Sequence, residues 1–165
     1  MSFLRSGRVS FKLSANMGRG HILNHMIEVE KVSDQEGLLR AFRVRRQVFV
    51  EEQGCPSELE YENDDVSAHF LASYRGEAAG AARWRKTEKG YKLERFAVLP
   101  GYRGKGVGLA LVNAVLADLP EEACYIYLHA QVQAAGMYER AGFKAEGPEF
   151  EEAGFRHLKM VYRSK

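Results

Sequence analysis

From Ile27 to Val32 apolar and polar residues alternate, the period-2 signature of a half-buried strand. Ser33-Asp-Gln-Glu36 then has the S-x-x-E spacing of a capping box, and Leu38, Phe42 and Phe49 fall near one face of a helix reaching about Gln53. Cys55-Pro56 ends that helix and opens a segment too polar to be core. His69–Tyr74 and Ala78–Arg85, joined by Arg75-Gly76, predict a hairpin of small residues, and Thr87–Gly90 turns into a third strand, Tyr91–Leu99. Val112, Val115, Leu116 and Leu119 mark the buried stripe of a helix that Pro120 stops. Cys124–His129 then predicts a strand, Gln131–Ala141 a helix closed by Gly142, and two short strands finish the chain. The order is that of a mixed α/β domain.

One strand breaks its own pattern. Leu93 begins an alternation, but Glu94 and Arg95 are consecutive polar residues before Phe96–Leu99 turn apolar, so the period slips by one. A β-bulge absorbs such a slip and re-aims the side chains beside it. A solvated strand end with its charges splayed outward gives the same letters, and both readings stay open.

Composition narrows the class. The 165 residues suit one domain, and the net charge is +2. Arg5, Arg8, Lys12 and Arg19 lie in the first 26 residues, which hold no acid, so residues 27–165 carry 20 basic against 22 acidic side chains. That balance argues against a nucleic-acid-binding surface. Cys55 and Cys124 make neither metal spacing nor a disulfide framework, and no run of 18 apolar residues offers a membrane span, which points to a reducing, cytoplasmic setting. Residues 1–26 lack the apolar stretch of a secretory signal and are expected to be a disordered extension upstream of the domain 27–165, with a targeting segment as the alternative.

Chemistry concentrates at residues 96–108, Phe-Ala-Val-Leu-Pro-Gly-Tyr-Arg-Gly-Lys-Gly-Val-Gly, where a strand runs into a glycine turn that opens an apolar helix. Exposed backbone N–H groups and a helix N-terminus make an anion site. A nucleotide-triphosphatase loop fails because Lys105 is followed by Gly106 and not by Ser or Thr, and no counting of the glycines gives G-x-G-x-x-G. The spacing that fits is [RQ]-x-x-G-x-[GA], on Arg103, Gly106 and Gly108.

That loop resembles the acetyl-CoA pyrophosphate loop of the GCN5-related N-acetyltransferase (GNAT) superfamily. Leu93–Gly108 looks like its motif A and Ala134–Phe143 like its motif B. Upstream, Arg46–Gln53, the acidic Glu60–Asp65 stretch and His69 look like the ElaA/YjcF-like subgroup. The resemblance implies a GNAT fold: a central mixed, mostly antiparallel sheet of about seven strands flanked by helices, with a V-shaped acetyl-CoA cleft. It implies that Phe96-Ala97-Val98 offers backbone groups to the pantetheine arm. It also implies that N–H groups of Arg103, Gly104, Lys105, Gly106, Val107 and Gly108 hold the pyrophosphate, with Gly108 allowing close approach. Near Gln131 the family usually carries Asn, a departure that bears on the pantetheine hydrogen bonds there.

The implied reaction moves an acetyl group from acetyl-CoA directly to a primary amine, of a small molecule or a peptide lysine, and needs a base for the amine and a proton donor for the departing thiolate. Tyr138 matches the family's donor; a tyrosine with its ring in the core and its hydroxyl bonded would have the same spacing. Glu94 is the candidate base, against a reading as a surface carboxylate paired with Arg95 or Lys92. His129 and His69 are rivals, while His21, His25 and His157 offer no metal spacing, and no metal is expected. Residues 51–65 carry seven carboxylates, a field that favours a cationic acceptor unless the loop is merely solvated. Two alternatives persist: a CoA-binding regulatory or interaction module without turnover, and an acyl-homoserine-lactone synthase-like enzyme, suggested by Arg46-Gln-Val-Phe. Neither a nucleic-acid nor a membrane partner is expected, and the resemblance is compatible with a monomer or a homodimer.

Overall fold

The computed structural model describes residues 27–163; the basic segment 1–26, with His21 and His25, and the last two residues lie outside the described residues. In chain order the elements are β1 (Ile27–Lys31), α1 (Gln35–Arg45), a π-helical stretch (Arg46–Glu52), α2 (Ser57–Glu60), β2 (Ala68–Tyr74), β3 (Glu77–Lys86), β4 (Tyr91–Val98), α3 (Val107–Asp118), β5 (Ile126–Gln131), α4 (Ala135–Arg140), β6 (Phe143–Ala145), β7 (Phe150–Glu152) and β8 (Phe155–Tyr162). The strands form one eight-stranded sheet in the order β1-β2-β3-β4-β5-β8-β6, with β7 also paired to β8. All neighbours are antiparallel except β4 and β5. The expected mixed, mostly antiparallel sheet is therefore present.

Three expectations are corrected in detail. The strands after α4 number three, because the long β8 takes β5 on one edge and both β6 and β7 on the other. The first helix is capped by Asp34, whose carboxylate accepts from the Gly37 N–H at 2.7 Å, so a single side-chain cap one residue on replaces the Ser33–Glu36 capping box. That helix also stops being α-helical at Arg45 and continues to Glu52 in wider π turns, a form that recurs at functional sites.

Helices cover both faces of the sheet. On one, Ala41, Val44 and Val48 of α1 and its π extension bury Leu71, Ala81 and Ala97. On the other, Val107, Leu111, Val112 and Val115 of α3 pack on Phe70, Ala72, Ala82, Leu93, Leu128 and Met160. Leu93 and Ala97 are four residues apart on β4, which in a regular strand puts both on one face. They lie on opposite faces because a bulge intervenes: the β3–β4 register slips between Ala81 opposite Ala97 and Arg83 opposite Glu94, and Arg95 sits there with φ 59°. Of the two readings of the polar pair, the bulge is the one the strand adopts.

Where α3 crosses β3 the chain needs Gly80. A Cβ there would lie 2.9 Å from both the Ala97 carbonyl oxygen and Leu111 Cδ1. Because one of these atoms is backbone, Gly80→Ala is expected to destabilise the fold by about 1–3 kcal/mol, read from the midpoint of urea unfolding.

Candidate active site

Strands β4 and β5 start side by side and part. Their ladder pairs Tyr91, Lys92 and Leu93 with Ile126, Tyr127 and Leu128, while β4 runs on to Val98 and β5 to Gln131 along diverging paths. The inner edge of β4 beyond the bulge is thereby freed from ladder pairing. At the parting a cavity of about 390 Å³ opens on the α1 side of the sheet. Its floor is Arg83, Arg85, Lys92, Glu94 and Phe96 from β3 and β4, with Leu128, His129 and Gln131 from β5. Phe49, Gln53 and residues 59–63 wall one side, Glu152, Phe155 and His157 the other, and Tyr138 reaches it from α4.

The glycine turn lies at the far end of β4. Gly104 (φ 74°) and Gly106 (φ 88°) are left-handed, and Gly106 is the N-cap of α3 with no side-chain cap, so the first N–H groups of a 12-residue helix face outward. A Cβ at Gly104 would meet nothing within 4 Å, and one at Gly106 only Ile27 Cδ1 at 3.7 Å. The backbone shape demands glycine at both, and the space above them is open to an anion. At Gly108 the crowding comes from within the protein, since a Cβ would sit 2.5 Å from Met137 Sδ. Arg103 donates from Nε to the Val98 carbonyl (3.0 Å) and from both terminal nitrogens to Glu52 (2.8 and 2.7 Å), tying the turn to the end of the π stretch. The Lys105 ammonium lies over the Tyr74 ring. Ala97 and Val107 are buried in the two cores, and Phe96, which lines the cavity, is followed along β4 by Ala97 and Val98 on the way to the turn.

A chain of ion pairs runs under the cavity. Arg45, 0% exposed, donates to Glu60 (2.6 Å), 1% exposed, and to Asp64 (2.8 Å). Asp64 also accepts from Arg83 (2.5 Å), and Arg83 faces Glu94 at 3.2 Å. Glu94 is hydrogen-bonded by Arg85 Nε and stands 3.8 Å from Lys92. Arg95 donates to the Leu59 and Glu60 carbonyls, which secures the short α2 against the bulge. Burial pushes the Glu94 carboxyl up, but Arg83, Lys92 and Arg85 together pull it below the ordinary carboxylate range. A carboxylate so held binds a proton weakly. His69 lies outside the cavity, edge-on to Phe42, with Nε2 on the Asp64 carbonyl at 2.8 Å and its pKa lowered by burial.

Two groups meet at the cavity without such restraint. Tyr138 packs its ring between Phe96 (5.6 Å) and Phe143 (6.1 Å), and burial raises the pKa of its phenol. The ring is in the core, yet among the described residues its hydroxyl has no hydrogen-bond partner. His129 has Nδ1 3.3 Å from a Glu152 oxygen, and His157 Nε2 stands 3.8 Å from the other. That hydrogen bond pushes the Glu152 carboxyl down to about 2, so it stays ionised and orients the His129 ring. Gln131 donates to Gln53 at 2.9 Å across the mouth of the cavity and accepts from Gln133 at 2.7 Å.

Sequence reasoning thus named Glu94, Phe96, Gln131, Tyr138 and His129, which the fold gathers into one cavity, and the turn 103–108, which it sets beside it. It passed over Arg83, Arg85 and Glu152, and Arg95, weighed there as a partner of Glu94, pairs with Glu60 instead. The alternation of Arg83 and Arg85 with Ala82 and Trp84 was the available signal for a charged face. The seven carboxylates of residues 51–65 do not act as a bare field: Glu60 and Asp64 are in the network, Glu52 holds Arg103 and Glu51 faces Arg46 at 3.6 Å. Among the described residues no group of His, Cys, Asp and Glu is arranged to hold a metal ion, and no helix is long and apolar enough to cross a membrane.

Comparison with known proteins gives a consistent picture. A family model for the acetyltransferase (GNAT) domain matches residues 29–164. The uncharacterized N-acetyltransferase YjcF of Bacillus subtilis is 37% identical over 131 residues, covering 78% of this chain and 94% of YjcF. The crystal structure of Escherichia coli ElaA is 26% identical with a TM-score of 0.70, covering 84% of this chain and all of that one. An acyl-CoA N-acyltransferase from Pseudomonas aeruginosa, 23% identical, shares the fold at a TM-score of 0.70 over 84% of this chain.

Removing one partner from a buried ion pair strands the other, at a cost of about 3–5 kcal/mol. Arg45→Ala should therefore lose about that much stability in chemical unfolding, and more than Arg103→Ala, whose pair with Glu52 is exposed.

Proposed function

Because the chain belongs to the GNAT acetyltransferase family, whose members move acyl groups from CoA, we propose that it transfers acetyl from acetyl-CoA to a primary amine of a small molecule or a peptide lysine. The observation that supports this reading is the order along one strand: the cavity at Glu94 and Phe96, the β4 stretch beyond Leu93 that does not pair with β5, and then the open glycine turn. The pyrophosphate would rest on N–H groups from Arg103 to Gly108, and the pantetheine arm along Phe96–Val98 and Gln131. Acetyl-CoA supplies the thioester. A backbone N–H near Phe96 or Val98 would polarise its carbonyl as the tetrahedral centre forms, commonly the largest catalytic contribution.

Proton traffic is assigned by environment. Tyr138, kept protonated by burial and with its hydroxyl uncommitted, suits the donor to the departing thiolate. For the base, Glu94 is the weaker candidate since three cations hold its charge. His129, fixed through Nδ1 by Glu152, faces the cavity and would take the amine's proton directly or through a water. The free thiols Cys55 and Cys124 fit a reducing compartment such as the cytoplasm.

Thermal unfolding with acetyl-CoA, CoA, ATP and NAD in parallel tests the cofactor assignment. At about a hundred times its dissociation constant a ligand adds ~2.7 kcal/mol, which for this size raises Tm by roughly 5–10 °C. A shift with the two CoA species alone, followed by CoA release with an amine panel, is the expected outcome; no shift in a folded sample would sink the reading. Once an acceptor is in hand, Tyr138→Phe should lower kcat by about 10²-fold with little change in KM for acetyl-CoA. His129→Gln should lower kcat/KM at neutral pH, with a deficit that narrows as rising pH deprotonates the amine unaided.

A further inference from the structure

The ion pairs under the cavity do not balance. Arg45, Arg83, Arg85, Lys92 and Arg95 supply five positive charges against Glu60, Asp64 and Glu94, an excess of two. His69, the further titratable group against Asp64, is driven toward its neutral form by burial and adds nothing. The excess gathers at one end. Arg45 and Arg83 each have two carboxylates, and Arg95 has Glu60 plus two main-chain carbonyls. Among the described residues, Arg85 and Lys92 have only Glu94 as an ion-pair partner, which Arg83 shares.

These two side chains stand opposite each other on β3 and β4, line the cavity and are 21% and 15% exposed. Among the described residues Arg85 is bonded only through Nε, so both of its terminal nitrogens remain as donors, and Lys92 is 3.8 Å from its carboxylate, beyond hydrogen-bond reach. Of the remaining carboxylates of the cavity, Glu152 is ionised and within the field of Lys92, which lowers the excess to one, but its oxygens face His129 and His157 and not the Arg85–Lys92 pair, and Glu62 is on the exposed outer wall. Half-buried cations that lack full compensation attract an anion, and a guanidinium beside an ammonium suits a carboxylate.

We infer that the acceptor carries a carboxylate as well as its amine, and that Arg85 and Lys92 receive the carboxylate while the amine points toward His129. This rests on the N-acetyltransferase reading. It narrows the acceptor to amino acids or similar zwitterions. Lys92 is in register with Tyr127, two residues before His129 on β5, so the two ends of the acceptor lie about 7 Å apart along the strand. That spacing suits an amine and carboxylate separated by several bonds, as in an ω-amino acid or at the side-chain end of a basic amino acid.

The test is acetyl transfer to the common α-amino acids and to the straight-chain ω-amino acids from glycine to 6-aminohexanoate, each against its carboxamide. An amide has the less basic amine and so holds the advantage where no anion site exists. The expected result is at least a tenfold higher kcat/KM for acids than for amides at the best chain length, lost in Lys92→Gln and reduced in Arg85→Gln. Equal or better use of amides, or a preference that survives both substitutions, overturns the inference while leaving the acetyltransferase reading intact. If nothing is acetylated, calorimetric titration of the CoA-loaded protein with the same acids and amides decides separately. Saturable acid binding weakened at least tenfold by Lys92→Gln upholds the anion site and tells against turnover, whereas no binding of acids overturns it.

Discussion

One extra residue in β4 organises this molecule. The bulge at Arg95 turns the strand over, so that Leu93 serves the core under α3 and Ala97 the core under α1. It takes the outer half of β4 away from β5, and the cleft is the gap that results. A non-glycine residue in left-handed backbone costs about 1–3 kcal/mol, and Arg95 offsets part of it by reaching the carbonyls at the end of α2. The distortion that opens the cleft thus also fixes one wall of the cavity beside it.

The same economy appears in the ionic network. The segment between the π stretch and β2 has little apolar surface to bury, and Leu59 and Val66 are 50% and 62% exposed. What holds it down is Arg45 beneath, Arg95 beside it, and Asp64 bridging to Arg83. Such pairs need exact partners and gain little net energy, but they hold a polar wall over a polar floor where an apolar core would close the cavity.

Much of this could be read from the letters. The glycine turn was legible because its spacing and its strand-to-helix setting exclude other phosphate loops, and the slip at Glu94-Arg95 was legible as two polar residues in a row. Choosing bulge over frayed end needed the partner strand, since register is a property of pairs. The cap at Asp34 and not Ser33 was a contest between adjacent side chains that spacing alone does not decide. Arg83 and Arg85 alternated correctly, but alternation gives a face and not what covers it. Glu152 stands 23 residues from His129 and arrives on a three-residue strand, too short to announce itself. The carboxylates of residues 51–65 looked like a field because their arginine partners lie up to 51 positions away in the chain.

How the wall is gripped has a consequence for the lineage as much as for the molecule. Arg45 and Arg95 take hold of main-chain carbonyls at Leu59 and Glu60, groups that every residue type carries. Neighbours whose side chains face outward, such as Glu58, Leu59 and Glu62, can therefore be exchanged while the path of the chain stays where it is. Descendants of this sequence are free to rewrite the rim of the cavity without rebuilding the frame that carries it.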